Sequence, residues 1–291
     1  MRASCDKRAT APPVAWWFRR AVATGGPSTR PYGQVARGSD ILDPMSNYFD
    51  LTGKVALVTG GSRGLGYQMV KAFAAHGADV FITSRKLETC DKVAAEVRAM
   101  GRKAATHACN VANWQELDGL VDAAYAAFGK VDILVNNAGS SPLAPSSLET
   151  SEQLFDRIVS LNFKGPFRLM SLVGSRMAAG EGGSIINVSS AGALRPRPQI
   201  APYAGAKAAL NALTEAFAFE YGPKVRVNTI SPGRFLTDVS KAWPEEHKKN
   251  ATAALQRSGV PEEIVTAALY LASAKSSFTT GSLVRVDGGI A

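Results

Sequence analysis

Short runs of apolar, often β-branched residues alternate along most of the chain with segments whose apolar residues recur three and four positions apart. The first pattern predicts buried strands, and the second predicts amphipathic helices between them. The predicted strands lie at residues 54–59, 79–84, 103–109, 131–135, 184–188, 224–230 and 283–286. Strands and helices in alternation predict an α/β fold, with a doubly wound, seven-stranded parallel sheet and helices on both faces.

The predicted helices run from the glycine-rich turn to residue 75, and then over residues 87–100, 114–128, about 151–179, 201–221 and 261–272. No linker or internal repeat interrupts residues 45–291, so we expect a single domain there. Residues 1–44 are rich in Arg, Ala, Pro and Gly and show little periodicity. We expect an N-terminal extension that is disordered, an organelle transit peptide or a non-native upstream segment.

Composition narrows the class of protein. The 291 residues are 46% hydrophobic and 20% charged, which is ordinary for a soluble globular protein. Of the net charge of +9, residues 1–44 carry +4, from seven Lys or Arg and three Asp. The remainder shows no basic run, which argues against a nucleic-acid partner. No stretch of about 18 apolar residues indicates a membrane span.

The three cysteines (Cys5, Cys90 and Cys109) and the three histidines show no metal-ligand spacing. We therefore expect free thiols in a reducing compartment and no metal site. The cytoplasm is the expected location, or the mitochondrion if residues 1–44 form a transit peptide.

A glycine-rich turn directly follows the first predicted strand and opens the first helix. Glycines there let the chain turn tightly, let the backbone approach a pyrophosphate and let the helix pack on the strand, while the helix N-terminus faces the phosphates. The turn therefore predicts a dinucleotide site. Its candidate residues are Gly60, Ser62, Arg63, Gly64, Leu65 and Gly66.

The end of the second strand indicates which dinucleotide is bound. An acidic residue there favours the free ribose hydroxyl of NAD(H), whereas an arginine favours the 2′-phosphate of NADP(H). The chain has Ser84, Arg85 and Lys86 at this point and no acid, and Arg63 lies in the neighbouring turn. Because guanidinium groups suit phosphate, we expect NADP(H) in preference to NAD(H).

Asparagines follow the fourth strand. Asn136, Asn137, Ala138 and Gly139 come where ligands bind in open α/β sheets, although ordinary turn residues would show the same composition. Asn162 falls within the long predicted helix, where a buried amide needs partners such as a water or a carbonyl.

Tyr203 and Lys207 are four residues apart on a predicted helix, so they share one face. A phenol titrates near pH ~10, and a neighbouring ammonium lowers its pKa. The pair therefore predicts a group that moves a proton to or from an oxygen, although such pairs are also common on solvated helix faces. Ser190 lies thirteen residues before Tyr203.

Together these motifs closely resemble the short-chain dehydrogenase/reductase family, with its Rossmann-type fold. The resemblance also includes Pro232 and Gly233 with Thr237, and Val286-Asp287-Gly288-Gly289, and it extends over about residues 51–291. Members that reduce 3-oxoacyl-carrier thioesters and members that oxidise gluconate are similar.

The resemblance implies roles for single residues. Tyr203 would be the general acid/base, Lys207 would lower its pKa and hold the nicotinamide ribose, Ser190 would orient the substrate oxygen, and Asn162 would hold a relay water. Asn137 and Thr237 would bind the cofactor. The family commonly has Asp-Val where this chain has Asn110 and Val111, a change expected to have a modest effect on adenine contact.

Three functions remain open from the sequence. The first is an NADP(H)-dependent carbonyl reductase, the second an NAD(H)-dependent alcohol or sugar-acid dehydrogenase, and the third a cofactor-binding regulator without turnover. The partner is expected to be a small carbonyl or alcohol, and the family implies a homotetramer or homodimer. Residues 195–198 (RPRP) predict a surface turn or, less simply, a contact with an anionic substrate; residues 234–258 are expected to cover the substrate.

Overall fold

The computed structural model describes residues 48–237 and 253–290. The extension predicted at residues 1–44 lies outside these ranges, as does most of the loop expected to cover the substrate. Within the described ranges the chain forms a seven-stranded parallel sheet in the order β3-β2-β1-β4-β5-β6-β7, as predicted. The strands are β1 Val55–Thr59, β2 Asp79–Ser84, β3 Ala104–Ala108, β4 Ile133–Asn136, β5 Gly183–Val188, β6 Val225–Pro232 and β7 Leu283–Val286.

Helices cover both faces of this sheet and enclose two apolar layers. On one face α1, α2 and α8 pack against the strands, and on the other face α3, α5 and α7 do so. The α-helices of the described chain are α1 Gly64–Ala75, α2 Leu87–Ala99, α3 Trp114–Phe128, α4 Glu152–Val159, α5 Gly165–Ala179, α6 Ala191–Leu194, α7 Ala201–Tyr221 and α8 Val265–Ala272.

Strand β1 shows why its residues form a central strand. All five of its side chains are buried; Ala56 and Val58 belong to the first apolar layer, and Leu57 belongs to the second. Side chains alternate between the faces of a strand, so a continuous apolar run is what two covered faces require. The buried run seen in the sequence therefore follows from burial on both sides.

The strand order places the functional end of the sheet. The chain moves outward from β1 to β3 and then returns to form β4 on the other side of β1. The carboxyl ends of β1 and β4 therefore meet at the point where the winding reverses. In open α/β sheets the ligand crevice lies at that point.

The predicted helix at about residues 151–179 is not one continuous α-helix. A π-helical turn, Ser160–Lys164, separates α4 from α5, and the Gly165 amide donates to the Ser160 carbonyl, five residues back. Pro166 explains the interruption, since it has no N–H for the carbonyl four residues earlier. π-turns of this kind are frequent at functional sites, and this one carries Asn162.

Two smaller differences concern short elements. The helix predicted at residues 261–272 begins as a 3₁₀ turn, Pro261–Ile264, before α8. The four-residue α6 was not predicted, because an Ala-Gly-Ala-Leu run is too short to show helical periodicity.

Gly174 provides a test of the packing between α5 and α7. A Cβ at Gly174 would lie 2.3 Å from Cε2 of the buried Tyr221, so we expect Gly174→Ala to displace the ring. Overpacking of this kind typically costs about 1–3 kcal/mol. Urea denaturation measures the change.

Gly119 is the matched control, because it also lies inside a helix, α3, and a Cβ there meets nothing within 4 Å. Gly119→Ala is expected to stabilise the protein by roughly 0.5–1 kcal/mol through helix propensity alone. Equal effects at the two positions would contradict this account of the packing.

Candidate active site

A cleft of about 1260 Å³ opens at the carboxyl end of the sheet, where β1 and β4 meet. The structure brings nearly all of the predicted site residues to its wall. Those lining it are Gly60, Ser62, Arg63, Gly64, Leu65, Ser84, Arg85, Asn110, Val111, Asn137, Ala138, Gly139, Ser190, Tyr203, Lys207, Pro232, Gly233 and Thr237. Gly66 and Asn162 do not line it and act from behind the wall.

The glycine-rich turn leaves open space in the cleft at the start of α1. Gly64 has φ +56° at the start of α1, and a Cβ there would point into the cleft and meet only Thr237, at 3.6 Å. Gly66 permits close packing as predicted, since a Cβ there would lie 2.3 Å from the Gly60 carbonyl oxygen. Both positions therefore need glycine, the first for its backbone conformation and the second for space.

Hydrogen bonds join the turn after β1 to the loop after β4. The buried Thr59 hydroxyl donates to the Val135 carbonyl (3.1 Å) and accepts from the backbone amides of Asn137 (3.0 Å) and Ala138 (3.1 Å). The Asn137 side-chain amide donates to the carbonyls of Thr59 (2.9 Å) and Gly60 (3.2 Å). The N–H groups of Asn137 and Ala138 therefore fix the loop after β4 to the turn after β1.

Basic side chains gather at the end of β2. Arg63, Arg85 and Lys86 are exposed and line the cleft, and no carboxylate lines it in the described part of the chain. The Ser84 hydroxyl contacts the Cys90 thiol (3.0 Å) and the Thr89 hydroxyl (3.4 Å). This end of the cleft therefore offers guanidinium and hydroxyl groups that suit an anion.

Asn110 and Val111 line the cleft at the end of β3. The Asn110 side-chain oxygen accepts from the Ala112 backbone N–H (3.3 Å), and the Asn110 backbone N–H donates to the Glu116 carboxylate (2.7 Å). These bonds fix the turn after β3, with the Asn110 side chain beside the cleft.

Helix α7 carries Tyr203 and Lys207 in its first two turns, and Pro202 lies at its start. Lys207 is only 3% exposed, and its ammonium donates to the Val188 carbonyl at the end of β5 (2.7 Å). Its Nζ lies 6.0 Å from the centre of the Tyr203 ring. The two side chains share one face of the helix, as predicted, and the face is buried in the wall of the cleft.

The predicted direction of the Tyr203 pKa was wrong for this structure. Burial raises the pKa of the Tyr203 phenol, and the nearby Ser190 hydroxyl opposes that rise. Burial also lowers the pKa of Lys207, to about 8. The cost of removing each charge from water therefore outweighs the attraction between the two groups on which the prediction rested.

Ser190 caps helix α6, and its hydroxyl accepts from the Gly192 amide (3.0 Å). The neighbouring Ser189 also lines the cleft, but its buried hydroxyl donates to the Lys207 carbonyl (3.3 Å). Ser190 lies on the side of Tyr203: a Cβ at Gly192 would be 3.3 Å from the Ser190 Oγ and 3.9 Å from the Tyr203 Cε1.

Asn162 is fully buried behind the cleft. Its amide nitrogen donates to the carbonyls of Ile158 (2.9 Å) and Ser140 (3.0 Å). Its Oδ1 is buried and has no partner among the described residues. A Cβ at Gly139 would lie 2.9 Å from that oxygen and 3.4 Å from the Lys207 ammonium, so only a glycine leaves the two groups facing each other.

Several lining residues were not predicted from the sequence. Thr89, Arg157 and Phe235 line the cleft from three different elements, and Cys109 lines it at the end of β3. Burial and the nearby Glu116 raise the pKa of the Cys109 thiol to about 12, so it stays protonated at neutral pH. The position of Cys109 at the end of a predicted strand was a signal that it could line the cleft. Arg157 is the sixth residue of a helix, and no local motif indicates that it reaches the cleft.

The cysteines, the potential metal ligands and the hydropathy of the helices bear on the kinds of site that the sequence argues against. Cys90 and Cys109 are free and buried, as expected, and Cys5 lies outside the described ranges. Residues 48–237 and 253–290 contain no group of three potential metal ligands and no helix with the length and hydropathy needed to cross a membrane.

Known proteins match this arrangement. The chain matches the family described as enoyl-(acyl carrier protein) reductase over residues 60–291. The 3-oxoacyl-[acyl-carrier-protein] reductase of Thermotoga maritima is 33% identical over 243 residues, which cover 82% of this chain and 98% of that protein.

Two solved structures add ligands to the comparison. A 7α-hydroxysteroid dehydrogenase in complex with NADH and 7-oxo glycochenodeoxycholic acid is 36% identical, with a TM-score of 0.79 and coverage of 83% of this chain and 96% of that one. A blue fluorescent protein from a metagenomic library, in complex with NADPH, is 33% identical, with a TM-score of 0.79 and coverage of 83% and 99%. On these matches, the chain belongs to the short-chain dehydrogenase/reductase family and is an oxidoreductase of alcohol and carbonyl compounds.

Proposed function

We propose that the protein is an NADP(H)-dependent oxidoreductase that transfers hydride between the nicotinamide and a carbonyl or secondary alcohol, with Tyr203 as general acid/base. The observation that carries this proposal is that the hydroxyl side chains of Ser190 and Tyr203 line one wall of the cleft together with the buried Lys207, whose ammonium donates to the Val188 carbonyl. A substrate oxygen between the two hydroxyls would accept a hydrogen bond from each.

The residues present fit a dinucleotide. The turn around Gly64 and the N-terminus of α1 would hold the pyrophosphate, and Asn110 and Val111 would contact the adenine. Arg85 and Arg63, with Ser84, would hold the 2′-phosphate. Gly139, Pro232, Gly233 and Thr237, together with Lys207, would line the nicotinamide half.

When bound, the cofactor supplies the hydride. The raised pKa of Tyr203 keeps its phenol protonated at neutral pH, which is the form that carbonyl reduction consumes. Ser190 orients the substrate oxygen and stabilises the charge that develops on it. Lys207, with a pKa of about 8, is mostly an ammonium at pH 7 and stabilises the phenolate after the proton has left. The unpartnered Oδ1 of Asn162 would accept from a water that returns a proton.

A second candidate is an NAD(H)-dependent alcohol or sugar-acid dehydrogenase. The complex of a 36% identical relative with NADH favours it, because the fold accepts either dinucleotide. The basic side chains at the end of β2, without a carboxylate among the described lining residues, favour NADP(H). A regulator without turnover is least supported, since it does not need Ser190, Tyr203 and Lys207 together in the wall of the cleft.

Assembly and compartment stay predictions. A homotetramer or homodimer is expected from the family, and a cytoplasmic location from the composition. A mitochondrial location would require residues 1–44 to act as a transit peptide.

Tyr203→Phe tests the proton donor. We expect kcat for NADPH oxidation with a responsive ketone from a screened panel to fall by about 10²- to 10⁴-fold, because the variant lacks general acid catalysis. The dissociation constant for NADPH, measured by fluorescence, should change little. Tyr67→Phe is the matched control, since the Tyr67 hydroxyl bonds only Glu96 (2.7 Å), outside the cleft. Turnover by Tyr203→Phe at the wild-type rate would exclude the assigned role.

Arg85→Ala tests cofactor choice. Loss of a charge-assisted hydrogen bond to a phosphate costs roughly 1.5–3 kcal/mol, or about 10- to 100-fold in affinity. We expect KM for NADPH to rise by that factor and KM for NADH to change far less. Arg98→Ala, at a side chain of α2 that bonds the Ala104 carbonyl (2.8 Å), should affect neither. Equal losses for the two cofactors at Arg85 would refute the contact with the 2′-phosphate.

Lys207 should make stability depend on pH. Its pKa is lowered from an ordinary value of 10.5 to about 8 by burial, so between these values the folded protein binds fewer protons than the unfolded chain. The contribution of Lys207 to the free energy of unfolding therefore rises as the pH goes from about 8 to about 10.5. The total rise is roughly 3 kcal/mol, at ~1.36 kcal/mol per pH unit.

The measurement compares urea denaturation of the wild type and of Lys207→Met at pH 7 and pH 9.5. The variant cannot titrate at this position, so the difference in unfolding free energy should move in favour of the wild type as the pH rises. A difference that stays constant would show that the lysine is not held in a low-dielectric site.

A further inference from the structure

Helix α7 packs on the sheet mainly through apolar residues, but beyond Lys207 it brings a second buried polar side chain to β5. Leu210, Phe217 and Ala218 of α7 belong to the second apolar layer, whereas Thr214, on the same helix, is only 2% exposed and polar. A buried hydroxyl is costly unless it is hydrogen-bonded, so its partners matter.

The Thr214 hydroxyl has partners on two strands. It accepts from the side-chain amide of Asn187 on β5 (2.9 Å), and it lies 2.7 Å from the Thr229 hydroxyl on β6. It also donates to the Leu210 carbonyl of its own helix (3.0 Å), which uses its single proton. The Thr229 hydroxyl is then the donor of the pair, and the Thr214 oxygen accepts twice.

These buried side chains form a polar set that also reaches a third strand, through Asn136. The Asn187 side-chain oxygen accepts from the amide of Asn136 at the end of β4 (2.9 Å). Asn136, Asn187 and Thr229 are all at most 1% exposed. One helix is thus hydrogen-bonded, through buried side chains, to three adjacent strands.

These bonds restrict α7 in a way that its apolar contacts do not. Hydrophobic burial is non-directional, so a helix that slides by one residue, ~1.5 Å, keeps most of it. The same movement would break hydrogen bonds that cannot be replaced by water in the core. The polar set therefore selects one axial position and one rotation of the helix.

That position is the one the reaction needs. Thr214 lies seven residues after Lys207, two turns along the same helix face. Asn187 immediately precedes Val188, whose carbonyl holds the Lys207 ammonium, and Ser190 follows on the same segment. Strand β5 and the residues directly after it therefore carry both the Asn187 contact that fixes α7 and the groups, Val188 and Ser190, that lie beside Lys207 and Tyr203.

We propose that Thr214 and Asn187 are positioning residues for the proposed reaction: by fixing α7 on β5 they set Tyr203 against Ser190 and Lys207 against Val188. The inference rests on the proposed function for its kinetic consequence, and its structural consequence can be measured without turnover.

The test is Thr214→Val, which keeps the branched shape and removes the hydroxyl, beside Thr214→Ser, which keeps the hydroxyl. In the valine variant we expect kcat for ketone reduction to fall by about tenfold or more, with KM for NADPH changed less than twofold. The serine variant should stay within about threefold of wild type. Thr106→Val is the control, because its hydroxyl bonds Asp91 (2.6 Å) at the surface beside β3, the far edge of the sheet.

The second readout is the titration of Lys207 by NMR of ¹³C-labelled lysine, with Lys207→Arg to assign the signal. In Thr214→Val the lysine should gain access to water, and its pKa should rise from near 8 towards its ordinary value. In Thr214→Ser and Thr106→Val it should not move. A valine variant that melts earlier but keeps the wild-type kcat and the wild-type lysine titration would overturn the proposal, because Thr214 would then be merely structural.

Two outcomes are separated by design. If the wild type turns over no ketone, the proposed function fails, and the lysine titration still tests the inference. If Thr214→Val does not fold, Asn187→Leu replaces it: this variant removes the side-chain amide that donates to Thr214 and should produce the same changes. No change in either readout for that variant would also overturn the proposal.

Discussion

The Thr59 hydroxyl and the Asn137 side chain form the contact on which the site depends. Together they hydrogen-bond the ends of β1 and β4, at the point where the winding of the sheet reverses. Thr59 is 1% exposed, so these bonds lie in a medium where a lost partner costs about 1–3 kcal/mol. If the two strand ends separated, the glycine-rich turn and the loop at Gly139 would no longer form opposite sides of one cleft.

Burial has opposite consequences for stability and for chemistry at Lys207. The lysine is held by one carbonyl in a nearly dry position, which disfavours its charge and the folded state with it. The same dry position strengthens the interaction of the ammonium with a negative charge that forms nearby. Burying the Lys207 ammonium therefore destabilises the folded protein. The polar contacts between α7 and β5 hold the helix in position despite that cost.

The sequence predicts most of the framework, because each strand is a short run that two covered faces make apolar, and because the glycine turn has its own signature. Ser190 was singled out by its spacing from Tyr203, and the structure places it in the wall of the cleft with Tyr203. The π-turn at Asn162 was missed, although Pro166 gave a local signal for it. The direction in which the Tyr203 pKa shifts depends on burial by residues distant in sequence, so no local motif predicts it. The hydrogen bonds of Thr214 likewise join residues from separate elements, and no sequence pattern indicates them.

The order of the strands separates two parts of the site in space. The basic residues at the end of β2 belong with α1 and α2 on one face of the sheet, and the helix that carries Tyr203 packs on the other face beyond β5. Strands β2 and β5 are three positions apart, about 14 Å at ~4.8 Å per strand. Substitutions that far apart, without shared partners, usually have additive free energies. Cofactor preference and carbonyl chemistry are therefore separable traits of this scaffold, which selection or an engineer can alter one at a time.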